Sequence, residues 1–302
     1  MKAILDNDTV QIEITNQCQQ SCANCTRFVG HHPKPFFMSL DNFTASVISM
    51  KDYPKMTGVM GGEPLLHPQF EEMCGILHEY IPPEKCGLWT CLPPGYESYR
   101  EAIVRTFKHV FINDHTRDDI YHWPILVSIN ELPLAPDTMW YMIEHCWAQQ
   151  SWSASINPHG AFFCEIAASL SMLLSKSKDG WDVVPGWWMK SPVKDFREQA
   201  EKYCPLCGCA APLRKRASVE GVDDVSPGFL KRLEETSPKI KAGKFVVHPL
   251  VMENDPREMA AYKDNDYRNR IAKRYGMFLV INEEGFWQPY LFKNWKKEEE
   301  AV

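Results

Sequence analysis

The alternation of apolar and polar positions predicts that the first half of the chain repeats a strand followed by a helix. Residues 10–15 alternate and are rich in β-branched side chains, which favours a strand. Leu40, Phe43 and Val47 recur at helical spacing, and Ser39 stands before them as a capping residue. The same patterns predict strands at 57–64, 86–91, 109–113 and 124–129, and helices at 39–51, 68–80, 96–107 and 136–149.

Strands and helices that alternate at this spacing predict βαβ units and a parallel sheet. Five or six such units would form a partial (β/α)6 TIM-like barrel, an α/β fold, over residues 1–150. In sheets of this kind ligands bind beyond the carboxyl ends of the strands. We therefore expect the functional residues at that edge.

The pattern changes after about residue 150. Residues 153–163 predict a β-hairpin whose turn is 157–160, and a helix follows to about 174. We expect residues 151–302 to form a C-terminal α+β extension. Its other predicted elements are helices at 193–202, 227–236 and 257–275 and strands at 244–248 and 277–282.

Composition narrows the class of protein. The chain has 302 residues, of which 44% are hydrophobic, as in an ordinary globular protein of one large or two modest domains. The net charge is −6 and no basic patch stands out, which argues against bulk binding of nucleic acid. The apolar runs are too short to span a bilayer, and no signal-peptide core is present, so we expect a cytoplasmic protein without a membrane partner.

Eleven cysteines add candidate chemistry, because they cluster at residues 18–25 and 204–209. The odd count in a chain that is neither short nor exported disfavours disulfides, and soft thiolates select iron–sulfur clusters or zinc. Cys18, Cys22 and Cys25 lie within one loop after the first predicted strand. Three thiolates would leave one iron of a cubane with the open position that a catalytic metal needs.

The Cys-x3-Cys-x2-Cys spacing of this loop resembles the signature of the radical S-adenosylmethionine (SAM) enzymes, although a zinc loop could share it. In that family the open iron of a 4Fe-4S cluster binds SAM. One-electron cleavage of SAM then gives a 5′-deoxyadenosyl radical that abstracts hydrogen from a substrate. The resemblance also implies the partial barrel and a flavodoxin- or ferredoxin-type electron donor. Asn24 departs from the family, which usually has an aromatic residue there, and Phe28 is near enough to cover the cluster instead.

The turn Gly61-Gly62-Glu63-Pro64 supports the same reading. Glycines allow a close backbone approach to a ligand, and a glutamate carboxylate can accept hydrogen bonds from an ammonium group. In radical SAM enzymes a turn of this sequence after the second strand lines the SAM amino group. The resemblance therefore implies that Gly61, Gly62 and Glu63 bind the cofactor.

Several single residues are further candidates. Asn113 and Ser128 lie at the ends of the fourth and fifth predicted strands, where they could contact SAM or only cap the strands. Cys91, at the end of the third strand, could donate a hydrogen atom to a substrate radical or be a small buried hydrophobe. Arg27 could bind a carboxylate of substrate or SAM, whereas the histidines at 31–32 are expected to be solvated.

A second cysteine group follows the predicted hairpin. Cys164 ends the hairpin, and Cys204, Cys207 and Cys209 follow a helix. This order resembles the twitch or SPASM-type extension of some radical SAM enzymes and implies an auxiliary 4Fe-4S cluster. Because Cys-x-Cys is a cramped spacing, Cys146 or a substrate atom could replace Cys209 as the fourth ligand. A structural zinc site is the alternative.

The leading functional hypothesis is a radical SAM oxidoreductase. The substrate would be a small molecule such as an amino sugar, cyclitol, amino acid or nucleoside, and the outcome dehydrogenation, epimerisation or rearrangement. Because the first strand begins near residue 10, we expect no leader-peptide-binding module before it, so peptide modification comes second. The alternative class is a non-catalytic electron carrier or zinc-stabilised binding module, which would leave the Gly-Gly-Glu turn unexplained.

Overall fold

The computed structural model describes residues 1–113, 115–175, 177–253, 278–281 and 287–289. Its strands alternate with helices in the first half, as predicted. The strands are β1 (Thr9–Thr15), β2 (Met56–Gly61), β3 (Cys86–Thr90), β4 (His109–Ile112), β5 (Tyr121–His122), β6 (Ala154–Asn157), β7 (Gly160–Phe162), β8 (Arg216–Ala217), β9 (Asp223–Val225), β10 (Phe245–Val247), β11 (Phe278–Ile281) and β12 (Trp287–Pro289). The helices are α1 (Leu40–Met50), α2 (Phe70–Tyr80), α3 (Arg100–Thr106), α4 (Pro136–Glu144), α5 (Trp147–Ser151), α6 (Glu165–Leu174), α7 (Pro192–Asp195), α8 (Arg197–Tyr203), α9 (Pro227–Leu233) and α10 (Pro238–Lys241).

The fold is mixed α/β and is built on one eight-stranded sheet. Its strand order is β12-β11-β4-β3-β2-β1-β6-β7. Strands β1 to β4 are consecutive parallel neighbours, and β6 pairs in parallel with the free side of β1. The chain therefore returns from β4 across the sheet to β6. Antiparallel strands complete both edges, with β7 beside β6 and β11 beside β4.

Strand β1 is buried on both faces, but the two faces differ in chemistry. Val10, Ile12 and Ile14 are fully buried on one face and join the main apolar core. Gln11 and Glu13 are buried on the other, although strands buried on both faces usually read as continuous apolar runs. Buried polar side chains need partners, so this face must be covered by other polar groups.

The predicted fifth strand at 124–129 is wrong. Residues 124–127 form a turn, in which Ile125 and Leu126 are buried. Their carbonyl oxygens accept hydrogen bonds from Gly208 N (3.1 Å) and Ser226 N (2.9 Å) rather than from a neighbouring strand. A short apolar run after a proline can be a buried turn as easily as a buried strand, and periodicity does not separate the two.

Most other predicted elements are confirmed. Helix α1 begins after Ser39, whose side chain accepts a hydrogen bond from Asn42 N. The hairpin is β6 and β7, and the helices predicted at 136–149 and 193–202 each form two short helices, α4 with α5 and α7 with α8. The helix predicted at 257–275 lies outside the described residues.

The division of the chain at residue 150 remains a prediction. Strands β6 and β7 lie beyond that boundary but belong to the sheet of the first half. In the part of the chain that the structure describes, no helix is long and apolar enough to cross a membrane.

Candidate functional site

The carboxyl ends of β1, β2 and β3 bring three predicted motifs to one edge of the sheet. The cysteine loop follows β1, the Gly-Gly-Glu turn follows β2, and Cys91 follows β3. Two backbone hydrogen bonds join the first two motifs, from Gly62 N to Thr15 O (2.8 Å) and from Glu63 N to Gln17 O (2.7 Å). The turn is therefore fixed against the start of the cysteine loop, at the edge where α/β sheets bind ligands.

This contact explains why residues 61 and 62 are both glycine. A Cβ atom on Gly61 would lie 2.3 Å from Thr15 O, and one on Gly62 would lie 2.4 Å from Gln17 O. Only glycine allows two backbones to approach so closely. The close approach that the sequence suggested is thus to the chain's own backbone, and contact of these glycines with SAM stays a prediction.

The Glu63 carboxylate is buried and accepts four hydrogen bonds from the protein. Its Oε1 accepts from Leu65 N (3.0 Å) and Thr90 Oγ1 (2.7 Å). Its Oε2 accepts from Cys91 N (2.7 Å) and Cys91 Sγ (2.9 Å). These donors fill the acceptor positions of a carboxylate, so a ligand ammonium would have to displace one of them. The thiol is the weakest of the four donors.

The Cys91 thiol links the motifs at this edge. It accepts a hydrogen bond from Gln19 Nε2 (2.6 Å) in the cysteine loop and donates one to Glu63. Burial raises the pKa of the Cys91 thiol, and the Glu63 carboxylate raises it further. The thiol therefore keeps its proton at neutral pH, which is the state that a hydrogen-atom donor requires.

The three loop cysteines are partly exposed free thiols. The pKa of Cys18 is raised to about 12, mainly by burial, and the neighbouring Cys25 contributes to this shift. Burial likewise raises the pKa of Cys22 to about 12, with Cys25 and Cys18 adding to the shift. The thiols are thus close enough to repel one another as thiolates, a repulsion that a bound cation relieves. This donor set fits an iron–sulfur cluster with an open position.

Asn24 holds the loop in shape. Its φ is 49°, a left-handed conformation that asparagine tolerates better than most residues. Its backbone N donates to the Asp223 carboxylate, and its side chain donates to Asp224 Oδ2 (2.8 Å) and accepts from Asp224 N (2.8 Å). An aromatic side chain could make neither side-chain bond. Phe28 is buried in the core, 6.4 Å from His31 between ring centroids.

The expectation that both histidines are solvated is wrong for His31, which is buried. Its Nε2 lies 2.6 Å from Asp223 Oδ2, and its Nδ1 lies 2.8 Å from Ser237 Oγ. Lys239 Nζ donates to Asp223 Oδ1 (2.9 Å) and to Cys22 O (2.9 Å). Burial raises the pKa of Asp223, but the His31 hydrogen bond and the Lys239 charge lower it overall. The ionised Asp223 carboxylate therefore anchors the cysteine loop through its contacts with Asn24 N, His31 and Lys239.

Arg27 binds carboxylates of the protein itself. Its guanidinium is buried, with Nη2 3.1 Å from Glu165 Oε2 and Nη1 3.7 Å from Glu13 Oε2. Burial raises the pKa of Glu13 to about 7, since Arg27 lowers it only in part and Glu165 raises it. A triad of Arg27, Glu13 and Glu165 thus covers the buried polar face of β1, and its contacts occupy the guanidinium that the sequence offered to a substrate or SAM carboxylate.

The second cysteine group lines one cavity. Cys164, Cys204, Cys207 and Cys209 share it with Cys146, and most of the other lining residues are apolar. Burial raises the pKa of Cys146 to about 12 and also raises the pKa of Cys164, and in both thiols the neighbouring Cys207 adds to the shift. Five thiols around one apolar cavity form a donor set that fits a cluster with four thiolate ligands.

Two of these cysteines are joined by a hydrogen bond. Cys209 N donates to Cys207 Sγ (3.4 Å), and hydrogen bonding from Cys209 lowers the pKa of Cys207. Burial raises the pKa of Cys209 well above its ordinary value. Cys209 follows Cys207 by only two residues, which is a cramped spacing for two ligands of one cluster, whereas Cys146 reaches the cavity from another part of the chain.

The remaining candidates are placed differently. Asn113 follows β4 at the same sheet edge and is exposed, and its backbone N donates to Thr90 O (2.8 Å). Ser128 is buried in the turn after Leu126, with its N and Oγ 3.3 Å and 3.4 Å from Ser226 Oγ. Its predicted place at a strand end does not exist. Within the described ranges, no three His, Cys, Asp or Glu side chains are arranged to hold a single metal ion.

No model of a known protein family matches the sequence, and no curated protein matches it. Among solved structures, the chain is similar to BtrN in complex with AdoMet and 2-DOIA, at 14% identity and a TM-score of 0.39, over 56% of this chain and 77% of that one. It is also similar to selenomethionine BtrN in an open conformation, at 14% identity and a TM-score of 0.35, over 53% and 70% of the two chains. Likenesses this distant carry no functional argument, so any assignment depends on the chain's own residues.

Sequence patterns missed the partners that hold the cysteine loop. Asp223 and Asp224 stand between Val222 and Val225, and a pair of acids within an apolar segment is a signal for buried carboxylates that need partners. Lys239 and Glu165 gave no such signal, because each looks like an ordinary helix residue.

Proposed function

We propose that this protein is a radical SAM enzyme that acts on a small molecule and carries two iron–sulfur clusters. One observation carries the proposal. The three-cysteine loop and the Gly61–Glu63 turn are hydrogen-bonded to each other at the carboxyl edge of a parallel sheet. A zinc-stabilised or electron-carrying loop would not require a glycine turn with a buried carboxylate beside it. The parallel run β4-β3-β2-β1-β6 supports a shortened form of the partial barrel.

In the first site, Cys18, Cys22 and Cys25 would hold a 4Fe-4S cluster and leave its open iron to SAM. Cluster and SAM together supply the radical chemistry, the 5′-deoxyadenosyl radical that takes hydrogen from the substrate. Glu63 Oε2 would accept a hydrogen bond from the SAM ammonium in place of the one that the Cys91 thiol donates to it. The exposed Asn113 at the end of β4 is the second polar contact that we propose for SAM.

Cys91 would become available as a hydrogen-atom donor once SAM displaces its thiol from Glu63. A thiol that keeps its proton and has lost its carboxylate partner can turn toward the substrate as a hydrogen-atom donor. The raised pKa of Cys91 and its place between the cysteine loop and the Gly-Gly-Glu turn support this assignment. Ser128 is buried against Ser226, and its contact with SAM stays a prediction.

In the second site, we propose an auxiliary 4Fe-4S cluster held by Cys164, Cys204, Cys207 and Cys146. Cys146 replaces the predicted Cys209 because Cys209 follows Cys207 at a cramped spacing, whereas Cys146 lines the same cavity from another part of the chain. Cys209, whose backbone N donates to Cys207 Sγ, then lies beside a ligating sulfur, where its thiol tunes the potential of the cluster without ligation. This cavity is the part of the chain that would correspond to a twitch-type extension.

The proposal also covers the substrate class, the electron donor and the compartment. We propose a small molecule of the amino sugar, cyclitol, amino acid or nucleoside kind, which the enzyme would dehydrogenate, epimerise or rearrange. The electron would come from a flavodoxin- or ferredoxin-type donor. Eleven free thiols suit a reducing compartment, so we place the protein in the cytoplasm.

Anaerobic reconstitution tests the proposal. We expect about eight irons and eight sulfides per chain, since two cubanes hold four irons each. After dithionite reduction, SAM should be cleaved to 5′-deoxyadenosine, and a panel of amino sugars, cyclitols and nucleosides then tests the substrate class. Bound zinc without 5′-deoxyadenosine would establish the non-catalytic alternative. Iron without SAM cleavage would indicate an electron carrier.

A further inference from the structure

Arg27 stands between the two cysteine groups, both along the chain and in space. It follows Cys25 by two residues, and its guanidinium contacts Glu165, the residue after Cys164. We infer that Arg27 is a positioning residue that couples the two cysteine sites, so that SAM binding at the first site changes the reduction potential of the cluster at the second. The inference rests on the proposed function, because it assumes a cluster at each site.

Arg27 binds the first two turns of α6 through several atoms. Its Nη1 donates to Glu165 O (3.2 Å) and to Ser169 Oγ (2.9 Å), while Nη2 pairs with the Glu165 carboxylate. The Glu165 carboxylate also accepts from Ser153 Oγ (2.8 Å), just before β6. A shift of the loop after Cys25 is therefore transmitted to the start of α6, whose N-cap is Cys164. The planar guanidinium fixes this geometry in a way that a lysine could not.

The same contacts place buried charge between the sites. Arg27, Glu13 and Glu165 are each more than nine-tenths buried, so solvent screens their interactions poorly. A change of charge at either cysteine site therefore acts on the Arg27 guanidinium and its acidic partners with little screening. Where a ligand at one site changes the free energy of the other through these residues, thermodynamic reciprocity makes the effect mutual.

An EPR-monitored redox titration tests the coupling with SAM as the probe. In the reconstituted wild-type protein, we expect SAM to shift the midpoint potential of the second cluster as well as the spectrum of the first. In Arg27→Gln and in Glu165→Gln, the shift at the second cluster should be lost. In the double variant no further change should appear, because both substitutions break one link.

Asn157→Ala is the matched control. Asn157 is buried and its Nδ2 donates to Ala168 O (2.7 Å), so this variant also removes a buried hydrogen bond to α6 but leaves the cysteine loop alone. We expect it to keep the SAM-induced shift. Where Arg27→Gln does not fold, Glu165→Gln provides the test, because it preserves the shape of the side chain and the contact of Arg27 with Glu165 O.

The outcomes separate the inference from the function. If the wild-type protein lacks two clusters or does not cleave SAM, the proposed function fails. If it holds two clusters and cleaves SAM, but the second potential does not respond to SAM, coupling through Arg27 is wrong and the function stands. A shift retained in Arg27→Gln or Glu165→Gln, or lost equally in Asn157→Ala, also overturns the inference.

Discussion

Asn24 and Asp224 exchange two hydrogen bonds, each 2.8 Å long, between the cysteine loop and β9. The two residues are 200 positions apart in sequence. Asp224 is itself paired with Arg216, whose Nη2 lies 2.6 Å from its Oδ1. The shape of a loop near the start of the chain thus depends on a strand in its second half, and the candidate cofactor site is complete only when both halves have folded.

Replacing Asn24 with alanine should destabilise the apoprotein by about 2–4 kcal/mol. The variant loses two buried hydrogen bonds, leaves Asp224 N without its partner and forces alanine into a left-handed conformation. Urea unfolding measures the loss. Asn24→Gly relieves the backbone strain but not the lost bonds, and Asn42→Ala, at an exposed position of α1, should cost less than about 0.5 kcal/mol. Equal stability of Asn24→Ala and Asn42→Ala would contradict the proposed role.

Glu13 should make the apoprotein less stable as the pH rises. Between the ordinary glutamate value of 4.5 and about 7, the folded state keeps a proton on Glu13 that the unfolded chain has lost. Stability is therefore highest below pH 4.5 with respect to this group and is lost toward pH 7, by up to about 3 kcal/mol. The cause is burial beside Glu165, only partly offset by Arg27.

Glu13→Gln mimics the protonated carboxyl and should remove this pH dependence. The measurement is the free energy of unfolding of variant and wild type at pH 5 and pH 8. The wild type should lose stability relative to the variant over this range. Glu72→Gln, on the exposed side of α2, should follow the wild type. A constant difference between wild type and Glu13→Gln would show that Glu13 is ionised throughout.

Removal of the Cys91 thiol should tighten SAM binding to the reconstituted protein. Cys91→Ala leaves Glu63 Oε2 with one acceptor position free, which an ammonium can take without displacing a thiol. One hydrogen bond of about 1 kcal/mol corresponds to a roughly fivefold lower Kd. Equilibrium titration with SAM measures it. Glu63→Gln should weaken binding, and a Cys91→Ala variant that also weakens it would show that the SAM ammonium does not displace the Cys91 thiol from Glu63.

The fourth ligand of the second site can be decided by counting iron. Cys146→Ala should lower the iron content of the reconstituted protein from about eight toward about four per chain, because the auxiliary cubane loses a ligand. Cys209→Ala should retain about eight irons and shift only the potential of that cluster. The reverse pattern would restore the sequence-based assignment of Cys209.

The sequence predicted what depends on neighbouring residues. The alternation of β1, the Ser39 cap of α1 and the hairpin of β6 and β7 are local features, and the structure confirms them. The strand predicted at 124–129 is wrong because the backbone partners of the turn that forms there, Gly208 and Ser226, are distant in sequence. For the same reason, the sequence did not show which residues contact the cysteine loop. A buried lysine or arginine is recognised only once its carboxylate partner is placed beside it, as with Lys239 and Asp223.

The most direct test of the central claim compares wild type, Cys18→Ala and Cys209→Ala after anaerobic reconstitution with iron and sulfide. Each protein is reduced with dithionite in the presence of SAM, and 5′-deoxyadenosine is quantified alongside iron. We predict that wild type and Cys209→Ala form 5′-deoxyadenosine, whereas Cys18→Ala forms none and retains about four irons per chain. Formation of 5′-deoxyadenosine by Cys18→Ala at the wild-type level would contradict the assignment of the cysteine loop as the site of SAM cleavage.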